Sequence, residues 1–244
     1  MEKYKPVLND RVIIASFAVD RNSVLKLNYL TAFLQEAAWK HAQHLDLGYE
    51  YLQQNNFAWM LSRIKIHVEE LPKWRDEIVI ETWPKGVDGL SYTRDFIVSN
   101  EGKQIIKATS YWLLVDLITK RPKIPELHTE ILTVNQNRHA VNEKLTKIAK
   151  QQSVEIEKVT ARNGDIDLNN HVNSNKYVEW IVNTIPDYSK RNRSPFTFQI
   201  NYLQEVSIDE TISLYAIENN FTIHCEGIHA LTGKTCFQSF LQWR

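Results

Sequence analysis

Asp167, Asn169 and His171 stand at every second position of R-N-G-D-I-D-L-N-N-H-V-N-S-N-K-Y-V-E-W, residues 162–180. A carboxylate, an amide and an imidazole can together activate water and steady a polar substrate. In an extended segment alternate side chains share a face, so the spacing predicts that the three point into one space. The period then changes. Tyr177, Val178, Ile181, Thr184 and Ile185 recur at helical spacing. Asn173 or Ser174 can cap that helix and Pro186 can mark its stop. A helix N-terminus carries free N–H groups and partial positive charge, which can hold a developing oxyanion. Two plainer readings compete. Asp165-x-Asp167-x-Asn169 resembles the start of a calcium-binding EF-hand loop, but Asn170 and Lys176 stand where that loop needs Gly and Glu. The same polar residues also suit a tight turn and a helix cap.

The rest of the chain must position this cluster. Its 244 residues are enough for one large domain or two small ones. Lys and Arg together number 29, as do Asp and Glu, so net charge gives no reason to expect nucleic acid or an anionic membrane as partner. No apolar run approaches the ~20 residues of a membrane span, and MEKYKPVLNDRV lacks the apolar centre of a signal peptide. These features predict a cytoplasmic protein. Cys225 and Cys236 are the only cysteines, which suggests neither a disulfide framework nor a zinc cage. The seven glycines form no phosphate-binding loop. The expectation is therefore no metal and no organic cofactor.

Taken in order, Ile13–Val19 reads as a strand. Asn28 is placed to cap a helix running to about Leu47, with Gly48 as its stop. Strand-like runs follow at Trp59–Val68, Glu77–Trp83, Tyr92–Val98 and Ile105–Val115. Residues 126–152 read as a connector between an N-terminal unit, 1–125, and a C-terminal unit, 153–244. The second unit repeats the plan with Val154–Arg162, the helix above, Phe196–Tyr202, Thr211–Ile217, Phe221–His229 and Thr235–Trp243. A shift of 134 pairs Ile64 with Phe198, Ile66 with Ile200, Val68 with Tyr202, Ile78 with Ile212 and Ile80 with Leu214. A shift of 131 pairs Gly102-Lys103 with Gly233-Lys234 and Trp112 with Trp243. Each half is thus a strand, a long helix and four antiparallel strands. One helix wrapped by a curved antiparallel sheet is the hotdog arrangement, so the expected class is α+β, a double hotdog. Joining the two sheets edge to edge would remove exposed edges.

These segments resemble the acyl-[acyl carrier protein] thioesterase family, most closely as a bacterial member similar to the plant plastid enzymes. The resemblance is carried by F-L-Q-E-A-A at 33–38, R-I-K-I-H-V-E-E-L-P-K-W-R-D-E-I-V-I-E-T-W at 63–83, Arg94-Asp95-Phe96 and A-T-S-Y-W at 108–112. In the second half it rests on D-I-D-L-N-N-H-V-N-S-N-K-Y-V-E-W at 165–180. It implies Asp167, Asn169 and His171 as catalytic residues. It adds Glu205, in Tyr202-Leu203-Gln204-Glu205-Val206, which matches the family's Tyr-x-x-Glu-Cys pattern except that valine replaces the cysteine. A valine cannot attack a carbonyl, so this departure argues against a cysteine nucleophile there.

The implied activity is release of a fatty acid from its acyl-carrier-protein thioester. Water is expected to attack, activated by Glu205 and His171, with a buried glutamate of raised pKa, and Asn169 to place the reactants. Asp167 would orient a neighbour or merely stabilise the turn. Backbone N–H groups of Val172 and Asn173 are expected to receive the carbonyl oxygen. In the first half Leu25-Lys26-Leu27-Asn28 stands at the helix start, without the Asp-x-Asn-x-His pattern. The first hotdog is therefore expected to hold the acyl chain and the second to supply the chemistry. The implied partner is acyl carrier protein bearing a phosphopantetheine-linked chain, and a homodimer is left open. Related alternatives are an acyl-coenzyme A thioesterase, a hotdog dehydratase and a non-catalytic acyl-binding protein.

Overall fold

A computed structural model describes residues 5–124, 135, 137–191 and 195–244. The strands of the first half are β1 (Leu8–Ile13), β2 (Phe57–Val68), β3 (Glu77–Asp88), β4 (Ser91–Asn100), β5 (Lys103–Asp116) and the short β6 (Arg121–Pro122). Those of the second half are β7 (Val154–Thr160), β8 (Phe196–Tyr202), β9 (Thr211–Asn219), β10 (Thr222–His229) and β11 (Thr235–Trp243). The helices are α1 (Leu27–His44), α2 (Tyr49–Asn55), α3 (Ser174–Asn183) and α4 (Tyr188–Arg191). All these strands belong to one antiparallel sheet, ordered β1-β3-β4-β5-β2-β8-β11-β10-β9-β7, with β6 beside β5. The fold is α+β, the expected double hotdog, and its halves meet where β2 pairs with β8.

That seam carries the duplication. Ile64 pairs with Ile200 and Ile66 with Phe198, on either side of a central Lys65–Gln199 pair. The shift of 134 maps the first pair onto the second, so a pseudo-twofold axis passes through Lys65 and Gln199. The alternation seen in the sequence puts Ile64, Ile66, Phe198 and Ile200 in the core, each at most 3% exposed. Full burial of such a side chain contributes roughly 1.5–3 kcal/mol. α1 packs on α3, and both share one core with the apolar face of the sheet. Gly102 and Gly233, the matched turn glycines, both have left-handed φ, +79° and +68°. Glycine adopts that conformation without the clash a Cβ would bring.

The stretch read as a connector straps the outer face of the sheet. Residues 126–134 and 136 lie outside the described residues. Beyond them, the carbonyls of Arg138, Val141, Leu145 and Thr146 accept from Trp83 Nε1, Lys85 Nζ, Arg63 and Gln199 Nε2 at 2.7–3.0 Å. The Ala140 N–H donates to Asp95 Oδ2 at 2.7 Å. The outward-facing polar residues of the central strands thus satisfy a segment without regular structure of its own.

Three sequence expectations are corrected. The first strand lies at Leu8–Ile13, and a 3-10 turn at Ser16–Ala18 occupies part of the expected range. α1 begins at Leu27 without a side-chain cap, and Asn28 sits buried in its first turn, its amide donating to Glu179 at 3.4 Å. Gly48 ends no helix but leads into α2, whose seven residues are too few for periodicity to announce. No helix among the described residues is long and apolar enough to cross a membrane.

Candidate active site

Residues 163–173 do not form the extended run that the spacing suggested. After a 3-10 turn at Asn163–Asp165, the chain folds into a tight loop closed by an Ile166–Val172 bridge. The Asp167 N–H donates to His171 O at 2.8 Å and the Asn170 N–H to Asp167 O at 3.0 Å. Asn170 takes a left-handed φ of 63°, which asparagine tolerates better than most residues. The Asp167 carboxylate is used within the loop, accepting the Asn169 N–H at 2.8 Å. Asp167, Asn169 and His171 therefore share a loop, not a strand face.

From this loop His171 reaches Glu205, with Nε2 3.1 Å from Oε2. Glu205 lies in the turn after β8, three residues past its last member, Tyr202. The burial expected of it is not found: its side chain is 43% exposed and that of His171 34%. A solvent-reachable imidazole–carboxylate pair can take up and return a proton. Asn169 is exposed, and its side-chain amide makes no hydrogen bond among the described residues. It is thus available to a substrate.

The backbone groups behave otherwise than expected. The Val172 N–H donates to Val206 O and the Asn173 N–H to Asp165 O, both at 2.8 Å. Neither is open to a carbonyl oxygen in this conformation. They stitch the His171 loop to the Glu205 turn instead. α3 starts immediately after, capped by Asn173, whose Oδ1 accepts the Asn175 N–H at 3.1 Å. Ser174 fixes this end to the rest of the core. Its hydroxyl donates to Gln35 on α1 at 2.7 Å, and its carbonyl accepts from the Tyr202 hydroxyl at 3.0 Å.

Neither cysteine joins His171. Cys225 and Cys236 are buried, and burial pushes their thiols up to about 12 and about 11. Among the described residues no cluster of three or more His, Cys, Asp or Glu is placed to hold a metal ion.

Residues 5–132 match the acyl-ACP thioesterase N-terminal domain and residues 148–244 the C-terminal domain of the same enzymes. The chain belongs to the acyl-ACP thioesterase family. Among its curated relatives, a chloroplastic palmitoyl-acyl carrier protein thioesterase of Gossypium hirsutum is 27% identical over 88% of this chain and 56% of its own length. A chloroplastic dodecanoyl-[acyl-carrier-protein] hydrolase of Cinnamomum camphora is 28% identical over 95% of this chain and 66% of its own length. The chain thus spans a little over half to two thirds of these relatives. A crystal structure of an acyl-ACP thioesterase from Bacteroides thetaiotaomicron matches with a TM-score of 0.87 and 26% identity over 98% of both chains. The 12:0-ACP thioesterase of Umbellularia californica shares the fold, with a TM-score of 0.84 at 24% identity.

In this acyl-ACP thioesterase family member, two further groups stand beside the loop that sequence reading passed over. Tyr177 is buried between Tyr202 and Phe237, with ring centroids 5.7 and 5.5 Å away, and burial raises its pKa far above the ordinary phenol value. Glu210 accepts the Ser207 N–H at 2.7 Å and lies 3.4 Å from buried His229. His229 Nδ1 accepts the Leu231 and Thr232 N–H groups, each at 3.2 Å. That leaves Nε2 to carry the proton toward Glu210. The Ser207 N–H first, then His229 and the nearby His171, hold the Glu210 carboxyl below its ordinary range. No periodicity could have paired positions 210 and 229, which meet only because β9 and β10 are neighbours.

Proposed function

We propose that this protein hydrolyses the thioester of an acyl carrier protein bearing a phosphopantetheine-linked fatty acyl chain. The His171–Glu205 contact of 3.1 Å is the observation that carries this reading. With Nε2–H donating to Glu205, the Nδ1 lone pair of His171 takes a proton from water as its oxygen attacks the thioester carbonyl. The Glu205 carboxylate stabilises the imidazolium so formed, and Asn169 donates its amide N–H to the carbonyl oxygen as charge develops there. Collapse of the tetrahedral intermediate breaks the C–S bond, and the imidazolium returns its proton to the leaving thiolate. The products are a free fatty acid and a free thiol. Asp167 enters no step of this scheme.

The N-terminal hotdog, to about residue 125, binds the acyl chain, the C-terminal hotdog from 153 supplies the chemistry, and 126–152 connect them. An aromatic cluster supports the first assignment. Under α2, Leu52, Tyr92 and Leu114 pack with Trp39, Phe57 and Trp59, apolar enough for a hydrocarbon tail.

The test follows thiol release from an acyl-carrier-protein thioester by the wild type, Glu205→Gln and His171→Ala. Each variant should lose at least ~10²-fold in kcat with unchanged circular dichroism, the usual scale for a lost acid–base group. Near-wild-type turnover by both would remove the assignment. A wild type that alters a 3-hydroxyacyl thioester without freeing thiol would instead be a dehydratase.

A further inference from the structure

The His171 loop has a copy in the first half, and the copy lacks the chemistry. The 3-10 turn at Ser16–Ala18 matches that at Asn163–Asp165, and the Val19–Leu25 bridge matches Ile166–Val172. The offset here is 147, not 134, so Asp20, Asn22, Ser23 and Val24 correspond to Asp167, Asn169, Asn170 and His171. The helix-start stretch Leu25–Asn28 is therefore not the counterpart of the polar loop, which sits one step earlier in the chain.

Five hydrogen bonds of the loop repeat, while the Val24 N–H bond to Asp20 Oδ1 at 3.1 Å belongs to the first half and the Arg162 N–H bond to Asp165 Oδ2 at 2.9 Å to the second. The Asp20 N–H donates to Val24 O at 2.8 Å, the Ser23 N–H to Asp20 O at 2.9 Å, and the Asn22 N–H to Asp20 Oδ1 at 2.8 Å. Their counterparts measure 2.8, 3.0 and 2.8 Å. Ser23 has φ 61° where Asn170 has 63°. The Leu25 N–H donates to Pro72 O at 2.9 Å, as Val172 does to Val206, and the Lys26 N–H to Ala18 O at 3.0 Å, as Asn173 does to Asp165. The facing turn repeats as well. Asp76 Oδ2 accepts the Lys73 N–H at 2.8 Å and the Asn100 amide at 2.9 Å, in the places of Glu210, Ser207 and His229. The halves differ at several places, Ser23 for Asn170, Asp76 for Glu210 and Asn100 for His229 among them, and two further differences bear on the proposed reaction. Val24 stands for His171, and Leu71 stands for Glu205.

We propose that Asp167 and Glu210 are positioning residues that act only by shaping the two turns, and that Glu205 is the one carboxylate that takes part in the reaction. A half with neither His nor Glu at the reacting positions keeps both of these carboxylates on the same N–H groups. Chemistry is thus not what they are needed for in that half. An aspartate accepting the N–H two residues on is a turn-forming device in its own right. Asn169 differs from its counterpart in a way that frees it. Asn22 donates its amide to Ser189 O at 2.7 Å, whereas the Asn169 amide has no such partner among the described residues.

This inference rests on the His171–Glu205 reading, so the test includes Glu205→Gln and His171→Ala as controls beside Asp167→Asn, Asp167→Ala and Glu210→Gln. The assay measures kcat and KM on an acyl-carrier-protein thioester. Asparagine at 167 keeps an oxygen for the Asn169 N–H but removes the charge. Asp167→Asn should stay within ~3-fold of wild-type kcat. Asp167→Ala should fall ~10-fold or more with KM little changed, as for a slightly misplaced catalytic group. Glu210→Gln, which can accept from only one of its two partners, should fall between them. Equal losses in Asp167→Asn and Asp167→Ala would mean the charge itself is used and overturn the proposal, as would a wild-type rate for Asp167→Ala. Should Asp167→Ala not fold, Asp167→Asn decides alone, activity supporting the proposal and a ~10²-fold loss sinking it. Full activity in both controls would overturn the site reading itself, a result separate from any ranking of the Asp167 variants.

Discussion

His41 should make this protein acid-sensitive, and by a magnitude that can be worked out. Its side chain, on α1, is wholly buried. Nε2 lies 2.9 Å from Lys5 O, and Nδ1 lies 2.9 Å from the Arg94 guanidinium. Arg94 can only donate, so Nδ1 accepts and the Nε2 proton goes to Lys5. A second proton has no place in this arrangement. Burial first, and then the charge of Arg94, lower the pKa of His41 from 6.5 to about 4. Between those values the unfolded chain binds a proton that the folded chain refuses. The stability contributed by neutral His41 is therefore complete above about pH 7 and is lost as pH falls toward 4. At about 1.4 kcal/mol per tenfold change in proton affinity the whole difference is about 3 kcal/mol, most of it gone by pH 4.5. That is a large fraction of a typical 5–15 kcal/mol total. In His41→Gln the amide can still donate to Lys5 and accept from Arg94, but it cannot titrate. Urea unfolding of both proteins from pH 7 to pH 4.5 isolates the effect, because every other titrating group is common to them. The variant should start less stable, by about 1–2 kcal/mol, and the gap should close or reverse by pH 4.5. Stability curves that stay parallel across this range would refute the reasoning.

Further outcomes follow from the same geometry. Asn169→Ala should lower kcat by ~10²-fold with a smaller effect on KM, the scale for a lost oxyanion donor; a raised KM with kcat unchanged would show that it only binds substrate. Cys225 and Cys236 should resist iodoacetamide in the folded protein, and Cys225→Ser, Cys236→Ser should retain activity, because thiols held near 12 and 11 supply almost no thiolate; a trapped acyl-cysteine would contradict the water mechanism. Exchanging residues 1–120 with those of a relative of different chain-length preference should move the product profile, whereas a profile that follows the second half would reverse the division of labour. If the proposed carrier docks by charge, the chain's zero net charge leaves local basic groups such as the exposed Lys120, Arg121 and Lys123 to steer it, and kcat/KM should fall as salt rises through ~0.1–0.5 M; a salt-independent value would exclude electrostatic docking.

Much of this architecture could be read from residue order. The strands of the seam alternate, so Ile64, Ile66, Phe198 and Ile200 declared both their face and their equivalence. The Gly-Lys turns at 102 and 233 declared the register of the hairpins. The contact between His171 and Glu205 was reached only through resemblance, since positions 34 apart carry no local signal. The loop geometry was misread for a definite reason. Period two over Asp167, Asn169 and His171 is what a strand gives, but a turn with Asn170 left-handed gives it as well, and only the backbone decides between them. The bonds of the Val172 and Asn173 N–H groups to Val206 O and Asp165 O were hidden as well, because a sequence does not show where a backbone donor is already committed.

The same limit hid the copy of the loop. Asp-x-Asn occurs at 20–22 and at 167–169, yet the offset between them is 147, whereas the strands that follow are offset by 134. The thirteen extra residues fall between the helix start and the first strand of the seam, where α1 runs eight residues longer than α3 and α2 is added. A search at one fixed shift cannot see across that insertion. Three-dimensional pairing does, because hydrogen bonds register residues by position and not by count. Once the loops are superposed, duplication becomes an internal control. Features present in both halves answer to folding, and features present in one answer to function. By that standard the turn carboxylates fall to the scaffold, and His171 in place of Val24 and Glu205 in place of Leu71 are the differences on which the proposed chemistry rests. Placing histidine at 24 and glutamate at 71 would then test the frame directly. The scaffold bonds are already in place, so the double variant of the first half should show one imidazole more than the eight of the wild type by NMR, with its pKa higher when Glu rather than Gln stands at 71. An imidazole at 24 insensitive to the choice of Glu or Gln at 71 would show that the two frames are not equivalent.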